Sequence, residues 1–131
     1  MKNITKSKED YLRVLLELSD ERAEIHSIDI AYALGFSRAS VSRMIKALGE
    51  SGYLRKDDSG KILLTEKGYD VAISIRRRRE LIRNFLQEDL GVEPATAEKE
   101  ACKIEHTISD ETERKLRTYI EKLRNRELST G

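Results

Sequence analysis

Residues 26–68, HSIDIAYALGFSRASVSRMIKALGESGYLRKDDSGKILLTEKG, constrain the fold more than any other stretch of the chain. The pattern predicts a short helix over about residues 28–34, ending in the tight turn Gly35-Phe36. Ser37 is placed to cap a second helix, since its hydroxyl can accept a backbone N–H of the first turn. Gly52 breaks that helix. Two strands, 53–56 and 61–64, then pair through Asp57-Asp58-Ser59-Gly60. Helix, tight turn, helix and two-stranded wing is an arrangement that carries one helix into a DNA major groove.

The second helix divides into two faces. Val41, Met44, Ile45 and Leu48 recur at helical spacing and are expected to pack on Ile28, Ile30, Ala31 and Leu34. The other face carries Arg38, Ser40, Ser42, Arg43 and Lys46. Arginine can bond the O6/N7 edge of guanine with two parallel bonds, and serine and lysine suit phosphates and base edges. The wing adds Arg55, Lys56 and Lys61. From Arg38 to Lys61 there are six basic residues against three acidic ones. Any one of these residues also suits a plain solvated helix face. Spacing, turn chemistry and local charge agree, and together they favour a segment that reads duplex DNA.

Composition sharpens that reading. The chain has 131 residues, enough for one domain or two small subdomains. Its 25 basic and 24 acidic residues leave a net charge of +1, so attraction to a polyanion must be local. A hydrophobic content of 38% without Trp suits a small helical protein that also buries surface between subunits. The single cysteine excludes an internal disulfide. The start, MKNITKSKED, has no apolar signal core, and no run reaches membrane-spanning length. A cytoplasmic protein with no membrane partner is expected.

The fold class is mostly α. A winged helix-turn-helix half, residues 1–70, precedes a helical half, residues 71–131. A first helix over about residues 8–19 presents Leu12, Leu15 and Leu16. Thr65 caps a long helix to about residue 90, with Val71, Ala72, Ile75, Ile82, Phe85 and Leu86 at helical spacing and the run Arg76–Arg79 in its middle. Gly91 stops it, and Pro94 suits the first turn of a helix over 94–106. Ser109 caps a last helix with Asp110 and Glu111 in its first turn and a stripe of Leu116, Tyr119, Ile120 and Leu123. A DNA-reading half joined to a helical half implies a homodimer, because two recognition helices one turn of DNA apart raise affinity for a pseudo-palindromic operator.

Cys102, Glu105 and His106 stand at i, i+3 and i+4 of the predicted 94–106 helix and would share one face. Sulfur, oxygen and nitrogen donors together favour iron, cobalt, nickel or zinc over magnesium or calcium. The same pattern suits a buried cysteine beside a surface Glu-His pair. Asp10 is a fourth candidate ligand, but Ser7-x-x-Asp10 also has the form of a capping box at the start of the first helix.

Glu9-Asp10-Tyr11-Leu12-Arg13, the winged helix-turn-helix, Cys-x-x-Glu-His and then Ser109-Asp110-Glu111 together resemble the diphtheria-toxin-repressor/manganese-regulator family of metal-dependent repressors. The resemblance covers essentially the whole chain. It implies a dimer that binds Fe(II) or Mn(II) and takes up its operator when metal is bound. It implies Asp10, Cys102, Glu105 and His106 as the main ligands. It also places Ser37, Ala39, Ser42 and Arg43 in the groove-contacting part of the recognition helix. The soft thiolate tilts the expected metal toward Fe(II) over Mn(II).

The chain departs from that family at an ancillary metal site. Arg79 stands at a His position, Arg83 where an acidic ligand is usual, and Glu98 where a His or another ligand is common. Arginine stays protonated and cannot ligate a cation. One site per subunit is therefore expected, and the Arg79 guanidinium is expected to pair with Glu98, Glu105 or Asp10. These departures also admit a regulator of the same fold that no longer senses metal and answers another ligand or thiol oxidation. An enzyme using Cys102 as nucleophile and His106 as base is disfavoured, since no oxyanion loop, phosphate loop or second catalytic cluster is recognisable.

Overall fold

A computed structural model describes residues 4–130, with side chains through residue 128. The chain divides into two compact units, Met1–Arg76 and Arg77–Gly131.

The first unit opens on α1, Lys6–Glu21. Its N-cap is Thr5, whose hydroxyl accepts from Lys8 N at 3.3 Å. The capping-box expectation for Ser7 and Asp10 is thereby corrected. Starting the helix at Lys6 adds the backbone bond from Glu9 N to Thr5 O, 3.0 Å, and leaves Asp10 a turn inside. Helix α2, Ser27–Leu34, ends at Gly35 with φ +70°, a left-handed geometry that a side chain disfavours. Gly35 N and Phe36 N both donate to Ala31 O, at 2.9 and 3.2 Å, and this closure turns the chain into α3, Arg38–Glu50. Ser37 caps α3 as expected, accepting from Ser40 N at 3.1 Å.

Val41, Ile45 and Leu48 of α3 are buried with Ile30 and Ala31 of α2. Ile28 does not join them and is 53% exposed. Two residues along a helix are about 200° apart, so Ile28 and Ile30 face opposite ways. Strands β1, Leu54–Lys56, and β2, Ile62–Leu64, pair antiparallel with Leu54 opposite Leu64 and Lys56 opposite Ile62. Ile62 N also donates to Ile25 O at 2.8 Å, which ties the wing to the segment before α2. The core gathers Tyr11, Leu12, Leu15, Ile30, Val41, Leu48, Leu54 and Ile62 among others.

Helix α4, Glu66–Asn84, starts under the Thr65 hydroxyl, which accepts from Gly68 N at 3.1 Å and donates to Gly52 O at 2.6 Å. A Cβ on Gly68 would run into the Tyr53 carbonyl, so the wing and α4 can approach only with glycine here.

The second unit begins within α4. The expected α-helix to residue 90 instead passes into a π-helical stretch, Phe85–Asp89, closed by Leu90 N donating to Phe85 O at 3.2 Å. Val92 N donates to Leu86 O at 2.8 Å, across Gly91 in the left-handed region. Helix α5, Pro94–Ile104, has the expected proline in its first turn but ends two residues before His106. Helix α6, Asp110–Thr130, is capped by Ser109, which accepts from Thr112 N at 3.0 Å. Leu116, Ile120 and Leu123 are half-buried along it, whereas Tyr119 is 57% exposed and leaves the predicted stripe. No helix among the described residues is long and apolar enough to cross a membrane.

Candidate metal centre and nucleic-acid interface

Helix α3 packs its apolar stripe inward and so turns the opposite face to solvent. Ser37, Arg38, Ala39, Ser42, Arg43 and Lys46 are exposed, and Ser40 is half-buried. The first turn is ordered by its own hydroxyls. Ser37 Oγ lies 2.9 Å from Ser40 Oγ, and Arg43 Nη2 reaches Ser40 Oγ at 3.4 Å. On the wing Lys56 is exposed and Lys61 half-buried. Asp57 shapes the loop between them. Its Oδ1 accepts from Ser59 N at 3.0 Å, Ser59 Oγ at 2.8 Å and Lys61 N at 2.9 Å. The Ser59 hydroxyl is the main reason that this carboxyl sits below its ordinary value of 3.8.

An open groove of about 410 Å³ lies between the start of α1 and α3. Ser7 and Lys8 line it from α1, Phe36 from the turn, and Ser40, Arg43 and Met44 from α3. Tyr11 forms its floor. Burial pushes the Tyr11 phenol up, and the nearby Arg43 guanidinium opposes that shift. Lys8 was not singled out in the sequence, and Ser7 only as a capping residue. The one available signal was the polar, basic run Lys6-Ser7-Lys8 at the opening of α1.

In the second unit, Cys102 lies in the last turn of α5 and is half-buried. Glu105 is the C-cap, with φ −55° and ψ −28°, and is buried. His106 follows in the turn, and its Nε2 lies 3.8 Å from Glu105 Oε1. Both side chains are almost fully enclosed, at 0% exposure for Glu105 and 5% for His106. Sharing one face requires an unbroken helix from Cys102 to His106, whereas α5 ends at Ile104 and only Glu105, the C-cap, keeps helical backbone angles beyond it.

Cys102 is drawn elsewhere. Arg79 Nη1 donates to Cys102 Sγ at 3.5 Å and lies 3.7 Å from Glu98 Oε1. Arg83 Nη1 approaches Glu98 Oε2 at 3.4 Å. Glu98 is thus one of the partners expected for Arg79. Among the described residues no three His, Cys, Asp or Glu side chains are gathered as a ready metal-binding group. The donor set still fits a divalent transition ion by its chemistry: a thiol, an enclosed carboxylate and an imidazole on five consecutive residues. Asp10 belongs to the first unit, where Arg13 Nη2 lies 3.8 Å from its Oδ1.

One buried residue was not singled out. Arg78 is 3% exposed and donates from Nε to Glu113 at 2.6 Å, from Nη2 to Asp110 at 2.5 Å and from Nη1 to the Glu105 carbonyl at 3.1 Å. It therefore anchors the turn that carries Glu105 and His106.

Two family models match the chain. Residues 3–60 match the N-terminal DNA-binding domain of iron-dependent repressors, and residues 65–127 match their metal-binding and dimerisation domain. An HTH-type transcriptional regulator of Methanocaldococcus jannaschii is 36% identical over 94% of this chain and 99% of its own length. The transcriptional regulator MntR of Escherichia coli is 32% identical over 87% of this chain and 73% of its own. The crystal structure of the metal-dependent transcriptional regulator MtsR superposes with a TM-score of 0.82 at 32% identity, covering 90% of this chain and 55% of that one. The chain spans about half the length of solved regulators such as MtsR and the manganese regulator SloR.

Proposed function

The chain belongs to the iron-dependent repressor family of metal-dependent transcriptional regulators, and from that premise we propose that it works as a cytoplasmic homodimer whose divalent-metal occupancy controls operator binding. The observation that carries the proposal is the pairing, in one chain, of an exposed basic recognition face on α3 with the enclosed donors Glu105 and His106 beside Cys102.

Cys102, Glu105 and His106 would hold the metal, with Asp10 as a further ligand. The bound ion would supply a cross-link that only correctly placed donors can share. Glu105 is enclosed, so it enters such a site with little freedom left to lose. His106 presents Nε2 toward Glu105. Cys102 brings the soft ligand that favours Fe(II) over Mn(II). Arg79 and Arg83 add no donors, and one ion per subunit follows. Metal shifts the protein toward its DNA-bound state only through its higher affinity for that conformation.

On the DNA side, Arg43 and Ser42 lie where base edges would be read, with Ser37, Ala39 and Ser40 at the helix start. Arg38, Lys46, Lys56 and Lys61 fit phosphates. Two such faces in a dimer suit a pseudo-palindromic operator with half-sites about 34–36 Å apart or a multiple of that. The genes expected under its control are those of metal homeostasis.

The test is anaerobic titration of chelator-stripped protein with Co(II), then Fe(II) and Mn(II), followed by calorimetry and absorption. About one ion per subunit is expected, with a sulfur-to-cobalt charge-transfer band that disappears in Cys102→Ala. Selection from random duplexes with and without Fe(II) should return a dyad only with metal. Weak surface association alone, with no sulfur band, would refute the metal-sensing reading.

A further inference from the structure

Helices α4 and α5 meet through four side chains at matching intervals. Arg79 and Arg83 stand four residues apart on α4, and Glu98 and Cys102 stand four apart on α5. Arg79 Nη1 touches the Cys102 sulfur at 3.5 Å and is 3.7 Å from Glu98. Glu98 also meets Arg83 at 3.4 Å. The Arg79 side chain is only 14% exposed, against 45% for Glu98. The guanidinium thus lies between a sulfur it covers and a more solvated carboxylate beside it.

A guanidinium keeps its charge throughout the working pH range and has no lone pair to offer a metal. It cannot join the donor set. It can only compete with a cation for the same sulfur. Two like charges a few ångströms apart in a partly buried site repel strongly, and a divalent ion doubles that repulsion. The Arg79–Cys102 contact must therefore open before the sulfur can serve a metal. Glu98 is within reach to receive the displaced guanidinium.

We propose that Arg79 is a charged latch on Cys102, and that its transfer to Glu98 is the step that sets the metal affinity of this centre. The inference rests on Cys102, Glu105 and His106 being the metal donors. The latch penalises every divalent cation to a similar extent. Ions that bind such donors weakly fall below useful occupancy first, and Mn(II) is the weakest of the first-row series. Arg79 thus sets the affinity threshold that any metal must pass, and leaves the order of preference among metals to the donors.

The experiment is anaerobic Co(II) titration of the full chain in four forms: wild type, Arg79→Gln, Arg79→Lys and Glu98→Gln. Far-UV circular dichroism checks each fold, and the sulfur-to-cobalt band reports ligation. Arg79→Gln is expected to bind Co(II) about tenfold tighter or more, since neutralising one nearby charge removes the repulsion. Arg79→Lys keeps the charge and should stay near wild type, which a purely structural role would not predict. Glu98→Gln removes the receiving carboxylate and should weaken binding. Equal affinity in wild type and Arg79→Gln, with the sulfur band present in both, overturns the latch and leaves the metal centre standing. Absence of the band from both overturns the donor assignment and the latch together. A second measurement needs no substitution. The Arg79 side-chain Nε–H resonance of the wild type should shift on adding one equivalent of Zn(II). A resonance that stays in place while metal binds would also overturn the latch.

Discussion

Four arginines in succession, Arg76 to Arg79, do four different things. Successive residues on a helix point about 100° apart, so one run of charge is distributed around the whole cylinder. Arg76 pairs with Asp20 at 2.8 Å, Arg77 is exposed, Arg78 is buried and Arg79 covers Cys102. Helical spacing from Ile75 and Ile82 puts Arg78 and Arg79 on the inward side of the run, but a charge on that side is ordinarily read as solvated. The sequence therefore placed the run on a helix and singled out Arg79 by resemblance, but passed over Arg78. Only the acceptors reveal its role. Asp110, Glu113 and the Glu105 carbonyl come from the α5–α6 junction and together satisfy a charge that would be costly to bury alone. Asp110 is 63% exposed, so its share is screened, whereas Glu113 is 17% exposed. Arg78→Met is expected to destabilise the protein by about 3 kcal/mol, the low end for breaking a buried pair. The midpoint of urea unfolding measures this. Arg78→Lys should recover only part, because one ammonium cannot span acceptors fixed to a guanidinium fork.

At the scale of elements, interior periodicity was readable and the ends were not. The α3 stripe, the Ser37, Thr65 and Ser109 caps and the Pro94 start all follow from local chemistry, and the structure has them. The errors lie where a neighbour decides. Helix α1 starts early because Thr5, ahead of Ser7, can close the first turn. Helix α5 stops at Ile104, and the Glu105 carbonyl goes to Arg78 rather than to a further helical turn. Between Cys102 and Glu105 the donor pattern was legible, but the guanidinium on the sulfur comes from a different helix. The wing loop shows local chemistry sufficing. Asp57 gathers three donors from the next four residues, and its depressed carboxyl links the loop to pH. A carboxyl titrating lower when folded stabilises the folded form fully above its ordinary value. That contribution fades as pH falls through the depressed one. The Ser59 and Lys61 amide resonances should therefore hold steady down to the ordinary aspartate value of 3.8 and titrate only below it. In Asp57→Ala the same two amides should exchange faster with solvent at neutral pH. Protection equal to wild type would show that the β1–β2 pairing alone holds the loop.

For the whole molecule, 25 basic residues against 24 acidic ones leave almost no net field, so DNA affinity has to come from where the charges sit. That makes salt dependence a direct probe of the α3 face. Each phosphate contact contributes about −0.9 to the slope of log K against log salt on duplex DNA. In a homodimer every substitution is made twice. Lys46→Ala is therefore expected to reduce the slope of the metal-loaded protein by about 1.8, and by about half that if a single copy engages the site. Arg43→Ala should behave differently. Loss of a bidentate base contact costs about 1–3 kcal/mol and relaxes sequence preference, at symmetric positions of both half-sites if the operator is a dyad. Fluorescence anisotropy over a salt series, on the selected duplex and on a scrambled one, separates the two effects. Lys46→Ala should weaken both duplexes alike, while Arg43→Ala should lose its affinity mainly on the selected one. If Arg43→Ala weakened both equally, the base-reading role would pass to the Ser37–Ser42 turn. If neither substitution moved the slope, the exposed face of α3 would not be the surface that meets DNA.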